Sequence, residues 1–262
     1  MNVLEARVAL RERTLLDVVD LSLRFVMSHL GAYARVSLAV LLPGFLGSWA
    51  IAAYFGWIWG WTGAVLLGMV ASAPFTALAS RLVFAPRVGT GDALRIALGS
   101  LARMIACRLM QILGVTTGVI FFVVPGTWVA MLFFLVSEVV VLEQASVGTA
   151  VTRLGRLLAG HSGQILMALL ALNALTVAAV FLGDIVGRAV LEDLLQVKAP
   201  VSLFEAGGSP LGLLGFWLAL PVLTTSRLFV YLDLRTRREG WDIQTRFAAI
   251  SARGRGESEV RA

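Results

Sequence analysis

The sequence predicts an all-α, polytopic membrane protein with six transmembrane helices and with N-terminal and connecting amphipathic interfacial helices. Of its 262 residues, 58% are hydrophobic and 15% are charged, and the mean hydropathy is +0.86. A soluble domain is far less apolar and carries more charge. The apolar residues form uncharged runs long enough to cross a bilayer, and arginines cluster between alternate runs.

The first thirty residues predict an amphipathic helix. Their apolar side chains recur at helical spacing from Leu15 to Leu30, and charged residues lie opposite them at Arg13, Asp17, Asp20 and Arg24. No apolar core of a signal peptide interrupts these charges, so we expect a cytoplasmic N-terminus. Residues 1–35 are expected to lie in the cytoplasmic interface, although a helix packed under the bundle fits the same pattern.

The next run, 36–80, has no charged residue and predicts two spans. Span one covers 36–55, with a kink near Pro43, and span two covers 62–83. Glycine and tryptophan alternate between them in Gly56–Trp61, a composition typical of a turn at the membrane surface. Small residues recur every fourth position along span two, at Ala64, Gly68, Ser72, Thr76 and Ser80. Such a stripe favours close helix packing, and a narrow substrate path is the alternative.

A basic segment, 81–108, then predicts a cytoplasmic connection. Within it, Thr90 or Asp92 is a suitable N-cap for an amphipathic helix.

The uncharged run after Arg108 predicts spans three and four as an antiparallel pair. We expect the turn at Pro125-Gly126, because this dipeptide readily ends a helix. Gly114 and Gly118 predict a second face of close helix approach.

Span five is predicted at 162–182 and span six at 211–231. Between them, Asp184 and Arg188 lie one helical turn apart and indicate an external amphipathic helix ending near Gln196. The six spans form a bundle over 36–235, and 236–262 is a cytoplasmic tail. Nearly every arginine then lies at one face, which predicts that both termini are in the cytoplasm. Lys198 is the single lysine, a usage typical of a GC-rich bacterial genome, so we expect the membrane to be a bacterial inner membrane.

Two ion pairs are predicted from the depth of charged residues in the membrane. Counted from a turn at Pro125, Arg108 and Glu143 lie at nearly equal depth and should pair near the cytoplasmic interface. Glu138 is five residues, or about 7.5 Å, deeper than Glu143. Arg227 has a similar depth on span six, so Glu138 and Arg227 are expected to pair. An ionisable pair within a membrane either fixes helix register or marks a proton or substrate site.

The sequence shows no motif for catalysis, nucleotide binding or a cofactor. Cys107 is the only cysteine, and His29 and His161 are the only histidines, so neither a disulfide nor a cysteine-based metal site is expected. The net charge of +6 forms no continuous basic patch. We therefore attribute it to topology and to anionic lipid headgroups, and we do not expect nucleic acid as a partner.

Several short segments resemble the bacterial six-span family called the glycerophosphoryl diester phosphodiesterase membrane domain, together with the related YciC-like proteins. They are Leu10–Asp17, Val124–Gly126, Val139–Glu143 with Ser146, Ala150 and Arg153, and Tyr231–Gly240. The resemblance implies a six-span fold in the membrane and no established activity. The catalytic name belongs to a soluble phosphodiesterase domain fused to some members, which has no counterpart here. Glu138 departs from the apolar residue expected at its position.

The absence of a chemical motif and the small-residue faces favour a structural or accessory subunit of an inner-membrane complex. Its partners would be membrane lipids and other membrane-protein subunits. A transporter or channel subunit using Glu138 and Arg227 is the first alternative. A membrane enzyme acting on lipid is the second.

Overall fold

The structure is a computed structural model that describes residues 15–83 and 88–239, with side chains up to Thr236. The tail from Gly240 and the first part of 1–35 lie outside the described residues. The helices are α1 (Leu15–Ser28), α2 (Leu30–Phe55), α3 (Trp57–Leu82), α4 (Thr90–Phe121), α5 (Val123–Leu132), α6 (Val136–Leu142), α7 (Val147–Leu158), α8 (Ser162–Ala189), α9 (Leu203–Ala206) and α10 (Pro210–Glu239).

Six helical segments are long and apolar enough to cross a membrane, which confirms the predicted fold class for the part of the chain described. These are α2, α3, α4, α5 with α6, α8 with the π-helical turn that follows it, and α10. In their most apolar windows α3 and α10 are 61% and 67% buried, whereas α4 and α8 are each 17% buried. Helices α3 and α10 therefore form the core of this multi-pass membrane protein, and α4 and α8 lie outside it.

A single residue, Gly56, joins α2 to α3. Its φ of +91° and ψ of 167° suit glycine, which has no Cβ to clash with the backbone. A Cβ on Gly60 would overlap the side chain of Ala52, so the two helices approach closely beside the turn. The tryptophan-rich segment expected to be a turn instead begins α3 at Trp57.

The turn between α4 and α5 lies at Phe122, whose extended backbone has φ −171° and ψ 153°. The prediction of a turn at Pro125-Gly126 is therefore wrong by three residues. Pro125 lies in the first turn of α5. Backbone N–H groups there have no acceptor within the helix, so the absence of an N–H on proline costs no helical hydrogen bond. Gly126 packs against Gly118, and a Cβ on Gly118 would lie 2.6 Å from the Gly126 nitrogen.

Helix α4 also begins differently from the prediction. The N-cap is Gly89 and makes no side-chain capping bond, whereas Thr90 and Asp92 both lie within the first turn. The helix then continues without a break to Phe121, so the amphipathic stretch and span three are one helix.

Helix α8 continues past the predicted end of span five, so no separate external helix begins at Asp184. A π-helical turn, Val190–Leu194, extends it further. Glycines hold α8 against α10: a Cβ on Gly183 would lie 2.7 Å from the Gly215 Cα, and one on Gly215 would overlap the Ala179 carbonyl oxygen.

Helix α1 packs against α10 through one face. Val18 and Phe25 are buried, and the Phe25 ring meets that of Phe229 edge-on, with centroids 5.4 Å apart. Leu16 and Leu23 remain exposed on the same helix. The N-terminal helix therefore rests on the bundle and keeps a second apolar face uncovered.

The bundle has two chemically different ends. At one end the chain turns at Gly56, and the Trp61 indole donates a hydrogen bond to the Gly207 carbonyl at 3.1 Å. The other end, called the arginine-rich end, contains Arg35, Arg81, Arg103, Arg153 and Arg235.

Candidate buried charge site

The short helix α6 brings the candidate residues into the centre of the bundle. It follows a break in which Phe133 and Leu135 leave helical geometry. Every α6 residue from Val136 to Val141 is buried. The polar residues Ser137 and Glu138 therefore face protein rather than lipid.

The structure places Glu138 beside Arg227, the partner predicted from the similar depth of the two residues in the membrane. The Arg227 Nε and the Glu138 Oε1 are 4.0 Å apart. The Glu138 side chain is 0% exposed, while that of Arg227 is 18% exposed. One partner is thus wholly enclosed, and the other reaches the surface of the bundle.

Arg108 enters the same region from α4 and is 5% exposed. Its guanidinium donates hydrogen bonds to the Ser137 Oγ and the Gln111 Oε1, each at 2.6 Å. The hydroxyls of Ser137 and Ser72 are 3.0 Å apart, which extends the network to α3. Arg108 also interacts electrostatically with both Glu138 and Arg227.

The predicted pairing of Arg108 with Glu143 is wrong. Glu143 instead accepts hydrogen bonds from the Tyr231 hydroxyl at 2.5 Å and from the Arg153 Nε at 3.3 Å. The misplaced turn explains the error. Arg108 lies 14 residues before Phe122 and Ser137 lies 15 residues after it, so these two residues, and not Arg108 and Glu143, share a level.

Several buried polar atoms in this region lack partners. Among the described residues, neither carboxylate oxygen of Glu138 accepts a hydrogen bond from another residue, and the Nε atoms of Arg108 and Arg227 donate none. The hydroxyls of Thr76 and Thr224 are also buried without a partner. Each such group carries a desolvation cost of about 1–3 kcal/mol, and more when charged. A concentration of them marks a place where native proteins usually hold water or an ion.

The two predicted small-residue faces both lie at helix contacts. On α3, a Cβ on Gly68 would lie 3.1 Å from the Phe216 ring of α10, and Ser72 meets Ser137 of α6. The hydroxyl of Thr76, one turn further along this face, has no hydrogen-bond partner among the described residues.

On α4, a Cβ on Gly114 would lie 2.9 Å from a methyl group of Val129, and Gly118 faces Gly126. Close packing therefore accounts for the α4 face. The α3 face combines packing with one arm of the polar network.

A second buried carboxylate was not expected. Asp184 is 2% exposed and accepts hydrogen bonds from the Ser209 hydroxyl and from the Leu203 backbone N–H at 3.3 Å. The Arg188 Nε lies 3.5 Å from it. From sequence alone, Asp184 is predicted to lie on an external helix. The residues that donate hydrogen bonds to it, Leu203 and Ser209, follow 19 and 25 residues later in the chain. The four-residue spacing of Ala179, Gly183 and Gly187 could have indicated that this face of α8 is covered.

No group of three or more histidine, cysteine, aspartate or glutamate side chains could hold a metal ion within 15–83 and 88–239. No protein-family model, curated protein or solved structure matches the chain. The family resemblance therefore stays a prediction, and functional inference rests on the geometry above.

Proposed function

We propose that this protein is a non-catalytic accessory subunit of a bacterial inner-membrane complex. The observation that supports this role best is the hairpin formed by α4 and α5. Its turn consists of apolar residues that are all strongly exposed: Ile120, Phe121, Phe122, Val123 and Val124. Further exposed apolar side chains line both arms, at Leu109, Leu113, Val119 and Trp128.

The backbone of this turn also needs partners. The last carbonyls of α4 have no N–H donors, and the first N–H groups of α5 have no carbonyl acceptors, within their own helices. Hydrocarbon chains of lipid cannot satisfy them. A neighbouring membrane protein can provide both polar partners for the backbone and apolar contacts for the side chains.

Glycines make this hairpin suitable for docking. Gly114, Gly118 and Gly126 hold the two arms in close contact. The hairpin can therefore present its outer faces as one preformed surface, which lowers the ordering cost of association.

The proposed orientation has both termini in the cytoplasm. Arginines collect at the arginine-rich end, whereas acidic residues follow Arg188 near the opposite end, at Glu192, Asp193 and Glu205. Such an asymmetry favours the arginine-rich side as cytoplasmic. Reporter enzymes fused at the C-terminus and inserted at Gly56 should report opposite compartments, and reports from the same compartment would contradict this topology.

Site-specific crosslinking tests the accessory role. The buried Cys107 is the only native cysteine, so a Cys107→Ala background accepts single probes. A photo-crosslinker attached to the cysteine of Val123→Cys should form a covalent crosslink to one discrete membrane protein in native membranes. The control is Ile58→Cys, which is exposed beside the other tight turn and should join lipid.

The crosslinked protein should also co-purify with the unlabelled chain in mild detergent. Val123→Arg should abolish that co-purification while leaving the monomer folded. If positions 58 and 123 both join only lipid, and the purified protein is monomeric, the accessory role is wrong.

A further inference from the structure

The charges of the candidate site do not balance. Arg108 and Arg227 contribute two positive charges, and Glu138 contributes one negative charge. All three interact electrostatically with one another. An uncompensated charge in a low-dielectric interior is costly, so the site favours an added anion.

The unpaired atoms specify more than charge. The Nε groups of Arg108 and Arg227 can each donate a hydrogen bond, whereas the two oxygens of Glu138 can only accept when ionised. A fully deprotonated anion would accept hydrogen bonds from both arginines but would repel the Glu138 carboxylate. A ligand that forms hydrogen bonds with all three side chains must carry anionic oxygens for the arginines and also a hydroxyl that donates to the carboxylate.

We propose that Arg108, Glu138 and Arg227 form a binding site for a phosphate group that retains a hydroxyl. The guanidinium groups bind its anionic oxygens in charge-assisted hydrogen bonds, and its P–OH donates to Glu138. Inorganic phosphate and the monoester headgroup of a lipid share this chemistry. The inference does not depend on the accessory role.

The geometry gives such a ligand a way in. Glu138 is fully enclosed, but the Arg227 side chain is 18% exposed and so connects the site with the bundle surface. On the inner side, Arg108 is held by Ser137 and Gln111. Arg108 is therefore preorganised, and Arg227 is the member that can move when the ligand enters.

Phosphate and sulfate provide the first test, because both are tetrahedral oxyanions of similar size and only phosphate keeps a hydroxyl at neutral pH. Calorimetric titration of the full-length protein in detergent should show saturable phosphate binding, with sulfate at least about tenfold weaker, the effect of one lost hydrogen bond to a charged group. Equal binding of both anions would overturn the proposal. So would no saturable binding at millimolar concentrations, which would mean that the site holds water only.

Three variants assign the binding to these side chains. Arg227→Gln should weaken phosphate binding about ten- to hundredfold. Glu138→Gln should bring the affinities for phosphate and sulfate to within about threefold of each other, because the repelling charge is gone. The matched control is Arg24→Gln, which removes an exposed arginine paired with Asp20 and should leave both affinities unchanged.

Thermal unfolding of each variant verifies that it is folded, and the wild-type comparison of anions decides the proposal even if a variant fails to fold. Retention of the preference for phosphate in a folded Glu138→Gln variant would overturn it.

A comparison of lipids distinguishes a lipid headgroup from free phosphate as the source of the phosphate group. Near pH 6 many phosphate monoesters keep one proton, because their second pKa is about 6, whereas diesters have none to keep. Native mass spectrometry with added phosphatidic acid and phosphatidylglycerol should show a preference for phosphatidic acid that Arg227→Gln removes, if the ligand is a lipid. Binding of inorganic phosphate with no lipid preference supports free phosphate as the ligand. Binding of neither phosphate nor phosphatidic acid overturns the site.

Discussion

Glu138 and Asp184 are both buried carboxylates, yet their surroundings differ. Asp184 accepts hydrogen bonds from Ser209 and from a backbone N–H, and a guanidinium nitrogen lies 3.5 Å away. Glu138 accepts none from another described residue, and its ion pair spans 4.0 Å. Burial of a charge alone therefore does not indicate function. The number of hydrogen bonds separates a structural carboxylate from a candidate site.

The position of each residue explains the difference. Asp184 lies in α8, and the chain between α8 and α10 contains the short helix α9, whose first residue, Leu203, donates its free backbone N–H to Asp184. Glu138 lies in the first turn of the short helix α6, and no other described residue donates a hydrogen bond to its carboxylate. This carboxylate therefore keeps the capacity to accept hydrogen bonds from a ligand.

Replacing Glu138 should have the largest effect on stability. Glu138→Ala leaves the buried Arg108 and the partly exposed Arg227 without their anion and should lower the free energy of unfolding by about 3–5 kcal/mol. The double variant Glu138→Leu with Arg227→Leu should lose less, because the exposed end of the pair is also neutralised. Reversible unfolding in mixed detergent micelles measures both. Equal losses in the single and double variants would show that the two side chains are not coupled.

Replacing Asp184 should have a smaller effect. Asp184→Ala removes the acceptor of two hydrogen bonds and should cost about 2–3 kcal/mol, whereas Asp184→Asn keeps an acceptor oxygen and should cost less. Glu192→Ala is the control, because this half-exposed residue makes only a 3.9 Å ion pair with Arg188 and should change stability by less than about 0.5 kcal/mol. If Asp184→Ala matched that control, Asp184 would not stabilise this end of the bundle.

The glycine contact between α8 and α10 should have the smallest of these effects. In Gly215→Ala the new methyl group would overlap the Ala179 carbonyl oxygen, so α8 and α10 must separate at a cost of about 1–3 kcal/mol. Gly99→Ala is the matched control in α4, since a Cβ there meets nothing within 4 Å. It should raise helix stability by up to about 1 kcal/mol. Similar melting temperatures for the two variants would contradict the close α8–α10 contact.

The two wrong predictions around the α4–α5 hairpin share one origin, the placement of its turn. Pro125 is expected to end a helix, but it lies in the first turn of one, because proline is acceptable in a first turn as well as after a last turn. Moving the turn to Phe122 exchanges the expected partner of Arg108, from Glu143 to Ser137. The predicted pairing of Glu138 with Arg227 was less sensitive to the turn, because the depth of Glu138 was set relative to Glu143 on the same span.

The sequence by itself determined that six helices cross the membrane, because transfer of apolar side chains into lipid and hydrogen bonding within a helix depend on residues close together in the chain. It also indicated where α3 and α4 approach their neighbours, since small residues at four-residue spacing share one helix face. Only the tertiary structure decided that Arg108 binds Ser137, the residue before Glu138, and that Asp184 is buried. Those contacts join residues distant in sequence, and a shift of a few residues at one turn changes both the depth and the direction of every side chain that follows.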